Sequence, residues 1–230
     1  MRLFISISCV LFIFLGCKDT SSTINPVDTT LNDSTFTDIR DYRKYTIVKI
    51  GKQVWMSKNL NVSKYRNGDT IRHARTPEEW RDAASKGEGA WCYFNHDPMN
   101  EEIFGKLYNW YCVKDARGLA PFGYHIPSDL EWSVLSEYLG GEEIAGFKMK
   151  SVTGWSSSGG DNSSGFNGKP GGLCHDNGTF GSMTVDGFWW SSSESDNYEC
   201  WFTNLRYDKD RLMKSMTLKG IGLSVRCLRD

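Results

Sequence analysis

The strongest restriction on how this chain can fold comes from where its largest side chains lie. All nine tryptophans fall between Trp55 and Trp201, spread along that stretch with no second low-complexity linker among them. Rings of that size need a shared interior, so residues 42–230 are expected to form one domain rather than two small ones. A domain of that length can bury around 70% of its unfolded surface and is stable without a metal or a disulfide.

Residues 1–16 read differently. Met1 and Arg2 supply a short positive start, and Leu3 to Leu15 is an apolar run broken only by Ser6 and Ser8. At about 1.5 Å per residue the run reaches roughly 20 Å, against a hydrocarbon core of about 30 Å. That is the length of a signal-peptide core rather than of a membrane span. The run ends Phe14-Leu15-Gly16-Cys17, which resembles the box read by bacterial lipoprotein signal peptidase, with Phe14 where Leu is usual. Cleavage before Cys17 and lipidation of that cysteine are expected, with the membrane as partner through the anchor. The address is then the cell envelope at the outer membrane, with the leaflet open. An ordinary secretory signal with an incidental cysteine is the alternative. The rest of residues 17–41 is rich in Thr, Ser, Asp and Asn. It has too little apolar surface to offset its ordering entropy and is expected to be a flexible tether.

Formal net charge is −1 and no basic cluster stands out, so nucleic acid is not an expected partner. With Cys9 in the signal and Cys17 lipidated, Cys92, Cys112, Cys174, Cys200 and Cys227 remain, an odd number. The absence of a CxxC pair argues against zinc and against a thioredoxin-like redox site. Connectivity is not readable from spacing. Cys112 with Cys200 is the candidate disulfide, because both lie in aromatic segments expected to be strands or their neighbours.

Along the domain, β-branched and aromatic residues from Tyr45 onward flank Gly51-Lys52 and predict a hairpin. Thr76-Pro77-Glu78-Glu79 predicts a helix start, with Thr76 as cap and Pro77 at the first helical position. That helix is expected to run to about Lys86. Ser128-Asp129-Leu130-Glu131 repeats the capping box, and Leu130, Val134, Leu135, Tyr138 and Leu139 form one apolar stripe before Gly140-Gly141. Beyond Gly140, Gly and Ser separate scattered aromatics and predict long loops. Phe188–Ser191, Glu199–Tyr207, Arg211–Met216 and Ile221–Leu228 are expected to be extended.

Several strings carry a family resemblance. Gly51-Lys52-Gln53-Val54-Trp55-Met56, Lys58-Asn59-Leu60-Asn61 and Gly105-Lys106-Leu107-Tyr108-Asn109-Trp110-Tyr111 are three of them. Leu119-Ala120-Pro121-Phe122-Gly123-Tyr124-His125-Ile126-Pro127-Ser128, Ser163-Ser164-Gly165-Phe166 and Pro170-Gly171-Gly172 follow in order. Phe188-Trp189-Trp190-Ser191-Ser192 and Ser224-Val225-Arg226-Cys227 complete the set. Taken together, residues 45–230 resemble the Fibrobacter succinogenes major paralogous domain (FISUMP). The resemblance implies an α+β, C-type-lectin-like fold, loop-rich, with small antiparallel sheets and two main helices. It also implies an exported protein of Bacteroidetes or a related group, and it implies no established chemistry.

The first functional candidate is therefore a recognition module for glycan or protein, built from Trp189, Trp190, Glu194, Asp196, Tyr198, Trp201 and Arg206. Aromatic faces stack on sugars or anchor partners, and the charged groups orient them. The alternative for Trp189 and Trp190 is core packing on opposite faces of a sheet. The second is catalysis like that of the formylglycine-generating enzymes, which needs a reactive cysteine pair. Cys200 and Cys227 lie in the right half, but the Arg-Gly-Gly-Ser signature is replaced by Phe188 to Ser192, so an enzyme is not expected. The third is a structural surface protein. No Glu-Pro-Asn or Trp-Asn-Asp motif for sugar-binding calcium is present, no cofactor is expected, and a metal is left open. Asp161-Asn162 and Asp176-Asn177 are better explained as turns.

Overall fold

A computed structural model describes residues 34–157 and 159–230. Cys17, the apolar run before it and the first part of the expected tether lie outside the described residues. In its first half the described chain forms β1 (Thr35–Thr37), β2 (Lys44–Ile50), β3 (Gln53–Met56), β4 (Arg72–His73), α1 (Pro77–Ser85), β5 (Ala90–Cys92), α2 (Glu101–Phe104), β6 (Leu107–Tyr108) and α3 (Trp110–Lys114). The second half forms β7 (Tyr124–His125), α4 (Asp129–Tyr138), α5 (Glu142–Met149), β8 (Gly171–Cys174), β9 (Phe180–Met183), β10 (Asp186–Glu194), β11 (Glu199–Arg206), β12 (Met213–Leu218) and β13 (Leu228–Arg229). The strands make three sheets, ordered β1-β2-β3-β13-β7, β12-β11-β10-β8-β9 and β4-β5-β6.

This is the mixed helix and sheet expected, with corrections. The sheets are not all antiparallel, since β4 with β5 and β8 with β10 run parallel. The second case follows from chain order. β9 returns antiparallel along one edge of β8, so β10, added at the other edge, points the same way as β8. There are also three helices of substantial length, not two. α5 has no side-chain N-cap and follows Gly141 at φ +97°, so no capping motif announces it. It is held by packing. A Cβ on Gly146 would lie about 2.4 Å from the Arg211 carbonyl oxygen, so only glycine lets the 210–211 backbone close over the helix.

The expected hairpin forms, with Ile50 opposite Gln53 and Gly51 at φ +62°. α1 is capped by Thr76 Oγ1, which accepts from the Glu79 amide at 3.2 Å. α4 carries the full capping box: Ser128 Oγ accepts from the Glu131 amide, and Glu131 Oε2 accepts from the Ser128 amide at 2.8 Å. Its apolar stripe splits, however. Trp132, Leu135 and Leu139 are buried, whereas Leu130, Val134 and Tyr138 are exposed. A three-and-four spacing from Trp132 sets the buried face, and that tryptophan outweighs the smaller residues.

The domain also starts earlier than residue 42. β1 pairs with β2, and the Phe36 ring stacks between Tyr45 and Tyr124 at centroid distances of 5.3 and 4.2 Å. Asp38 is buried and ion-paired to Arg40, whose guanidinium also donates to the Lys64 and Leu119 carbonyls. Among the described residues no helix is long and apolar enough to cross a membrane.

Ile221–Leu228 is not one strand. It makes isolated bridges from Gly222 to Cys174, Leu223 to Tyr108 and Ser224 to Trp189, and then Leu228 pairs with Trp55 and His125. The segment thus ties all three sheets together from inside the molecule. Most of its side chains are buried. The sheet containing β10 divides the aromatic interior. Trp190 packs with Tyr108, Trp110 and Val225 on one face, and Trp189 with Trp55, Trp132, Phe166 and Leu205 on the other.

Candidate binding groove

Trp189 and Trp190 are not available to a ligand. Both are 0% exposed, and each indole N–H is already used. Trp189 Nε1 donates to Asn59 Oδ1 at 2.8 Å and Trp190 Nε1 to the Tyr108 carbonyl at 2.7 Å. Alternation along β10 sends the pair to opposite faces, and the sheet is covered on both. Trp201 is half-buried on β11, opposite Met216 of β12. Arg206 closes the far end of β11, paired with Asp208 at 2.9 Å and Asp186 at 3.5 Å. With eight residues in β11, Arg206 is about 25 Å from Tyr198, so the seven candidates do not make one site.

The tip of the β10–β11 hairpin does make one. Asp196 Oδ1 accepts from the Tyr198 and Glu199 amides at 2.7 and 2.8 Å, which closes the turn and holds this carboxyl below its usual range. Glu194 Oε1 accepts from Lys219 Nζ at 2.9 Å, and that bond lowers the Glu194 pKa and raises that of Lys219. Lys219 also donates to the Asn197 carbonyl at 2.9 Å and sits 5.1 Å from the centre of the Trp110 ring. The acidic candidates therefore brace the tip. Tyr198 is the one they present, 75% exposed.

Tyr198 borders an open groove of about 470 Å³ with Tyr111, Arg81, Asp176, Asn177 and Asn197. They come from four places: α1, α3, the turn between β8 and β9, and the hairpin tip. Tyr111 lies in the first turn of α3, which Asn109 caps by accepting from the Cys112 amide. Arg81 is on the exposed side of α1, within 3.1 Å of Glu78. Asn177 holds the 175–179 turn by accepting from the Thr179 amide and hydroxyl. Gly178 seats that turn on α1, since a Cβ there would meet Pro77 Cα at about 2.4 Å. Two phenol rings, two amides, a guanidinium and a carboxylate around one groove suit the face of a sugar ring or a polar peptide. Sequence reasoning missed Tyr111 and Arg81 and read Asp176-Asn177 only as the turn it is, for no spacing in the chain connects residues 81, 111, 177 and 198.

The cysteines are set apart from this groove. All five described cysteines are free and buried, so Cys112 and Cys200 do not form the expected disulfide. The Cys112 thiol donates to the Ala90 carbonyl at 3.4 Å and accepts from the Tyr65 hydroxyl at 3.7 Å. Cys92 and Cys174 share one buried cluster, where burial raises the Cys92 thiol well above its usual value. Burial pushes the Cys200 and Cys227 thiols up to about 12. His125 bridges Asp230 and Glu131 at 2.7 and 2.8 Å. Burial opposes its charge, yet those two bonds outweigh it and raise its pKa above the usual value. Among the described residues no group of three or more His, Cys, Asp or Glu side chains is placed to hold a metal ion.

No curated protein and no solved structure matches the chain significantly. A family model does, over residues 48–229, from the second strand of the first sheet to the last strand described. By that match the chain belongs to the Fibrobacter succinogenes major domain family.

Proposed function

We propose that this protein is a lipid-anchored cell-envelope lipoprotein, held at the outer membrane through Cys17. Its C-type-lectin-like domain recognises a glycan or a protein without catalysis. The groove between Tyr198 and Tyr111 carries this reading. It is open, aromatic and rich in hydrogen-bonding groups, and it has a braced hairpin tip on one side and a glycine-seated turn on the other. A preorganised rim of this kind lowers the ordering cost of binding. The non-catalytic half of the reading is supported by the burial of Cys200 and Cys227 and by their high thiol pKa, which leaves little thiolate near neutral pH. The anchor is supported by the apolar run ending Gly16-Cys17.

Glycan arrays and pull-downs with the purified protein test the recognition reading. Saturable binding to one sugar class, or capture of one protein, with at least tenfold loss in Tyr198→Ala would support it. Binding that ignores Tyr198→Ala and Tyr111→Ala would remove this groove. Turnover of a cysteine-containing sulfatase peptide would overturn the non-catalytic reading. For the anchor, Cys17→Ser is expected to abolish lipid labelling and release the protein from membranes; retention after that change would sink it.

A further inference from the structure

Among the described residues Arg226 is a buried cation without an acidic partner. It is 1% exposed, and its partners are neutral: the Met56 and Phe166 carbonyls and Asn59 Oδ1. Its guanidinium lies over the Phe166 ring, 4.3 Å from the centre. Burial lowers its pKa to about 9, which still leaves it charged at neutral pH. A guanidinium has five N–H donors, and the bonds present occupy four, so one N–H of Nη2 is left. An uncompensated charge in such surroundings is costly unless an anion can approach it.

Arg226 forms the floor of a cleft of about 410 Å³ that shares no residue with the tyrosine groove. Arg43, Lys44, Lys58, Lys169, Glu101 and Glu102 stand around it, so with Arg226 the lining has a formal excess of three positive charges. The two acids are already engaged. Glu101 meets Arg43 at 2.9 Å and Lys106 at 3.4 Å, and it accepts from Asn61 and Tyr93. Glu102 faces Lys58 at 3.7 Å. Lys44 and Lys169 have no acidic partner among the described residues. For Lys169, burial alone acts on the ammonium and lowers its pKa. Three cations thus converge on one cavity of ligand size with no acid to answer them.

We propose that this cleft is a second binding site, which takes the oxyanion of a small ligand: a carboxylate, sulfate or phosphate group. Lys44 and Lys169 meet the group at the mouth, and Arg226 supplies the charge and the remaining N–H at the floor. Charge-assisted hydrogen bonds of this type are about twice as strong as neutral ones. The oxyanion can be free or can be carried on a sugar, as in a uronic acid.

Calorimetric titration of the whole protein with inorganic phosphate, sulfate, glucuronate and glucose tests the proposal. Saturable binding of at least one charged probe and none of glucose is expected. It should weaken at least tenfold in Lys169→Gln and recover largely in Lys169→Arg. Glucuronate binding more tightly than the inorganic ions would assign the site to acidic sugars; equal or weaker binding would assign it to free oxyanions. Arg81→Gln, in the other groove, should leave all of this unchanged, which separates failure here from failure of the tyrosine groove. Absence of saturable binding for all three charged probes would overturn the proposal. So would binding that is indifferent to Lys44→Gln and Lys169→Gln together.

Discussion

The middle and the tip of the β10–β11 hairpin are only a few residues apart, yet their side chains do opposite work. In the middle, Trp189 and Trp190 are sealed into two aromatic clusters, with their N–H groups paired to Asn59 and Tyr108. At the tip, Glu194 and Asp196 are consumed in holding a turn, and Tyr198 is left projecting over a groove. The difference lies in what covers each part of the sheet. The middle is covered on both faces, by α4 and α5 on one and by Tyr108 of β6 and Trp110 of α3 on the other, while Tyr198 at the tip stands exposed. Aromatic character alone therefore does not mark a binding residue in this fold; the cover over the strand does.

Substitutions in the two regions test that contrast. The largest effect is expected in the middle. Trp190→Ala should cost about 3–5 kcal/mol of stability, seen as a lower urea midpoint, through the lost ring volume and the lost indole bond to the Tyr108 carbonyl. A loss below about 1 kcal/mol would mean that the middle is less tightly covered than described. Next is the capping box that anchors α4 over this sheet. Ser128→Ala should cost about 1 kcal/mol by the same measurement.

The third effect depends on pH. His125 has a raised pKa between Asp230 and Glu131, so its contribution to stability is complete below the unfolded value of about 6.5 and is lost as pH rises through the higher folded value. Its ring is 38% exposed, so solvent screening keeps the effect under about 1 kcal/mol. Wild type minus His125→Gln, followed by urea unfolding from pH 5.5 to 8.5, should shrink as pH rises; a gap that widens would reverse the assignment. The smallest stability effect belongs to the tip. Tyr198→Ala should change stability by less than about 0.5 kcal/mol, because the ring is mostly solvated. A loss comparable to Trp190→Ala would erase the contrast between the two regions.

Much of the local structure was legible beforehand, and for local reasons. Thr76 and Ser128 start helices because their oxygens satisfy amides three residues on, and Gly51 turns a hairpin because φ is positive there. The family strings from Gly51 to Cys227 agreed with the family later shown by residues 48–229. What could not be read has a common cause. α5 rests on the approach of residues 210–211 to Gly146, and β1 on Phe36 stacking with Tyr45 and Tyr124. Ile221–Leu228 resembled a strand because it is apolar, but its apolar residues serve three sheets in turn.

The family, the capped helices, the first hairpin and the need for one large aromatic interior follow from the chain before it folds. Each depends on neighbours within a few positions or on the amount of apolar surface to be buried. Which aromatics that interior takes depends on the packed fold. It placed Trp189 and Trp190 inside, brought Tyr111 and Tyr198 together from separate elements, and set Arg226 at the floor of a cationic cleft. Burial and charge balance are sums over side chains distant in the chain, and the fold has to be complete before those sums exist.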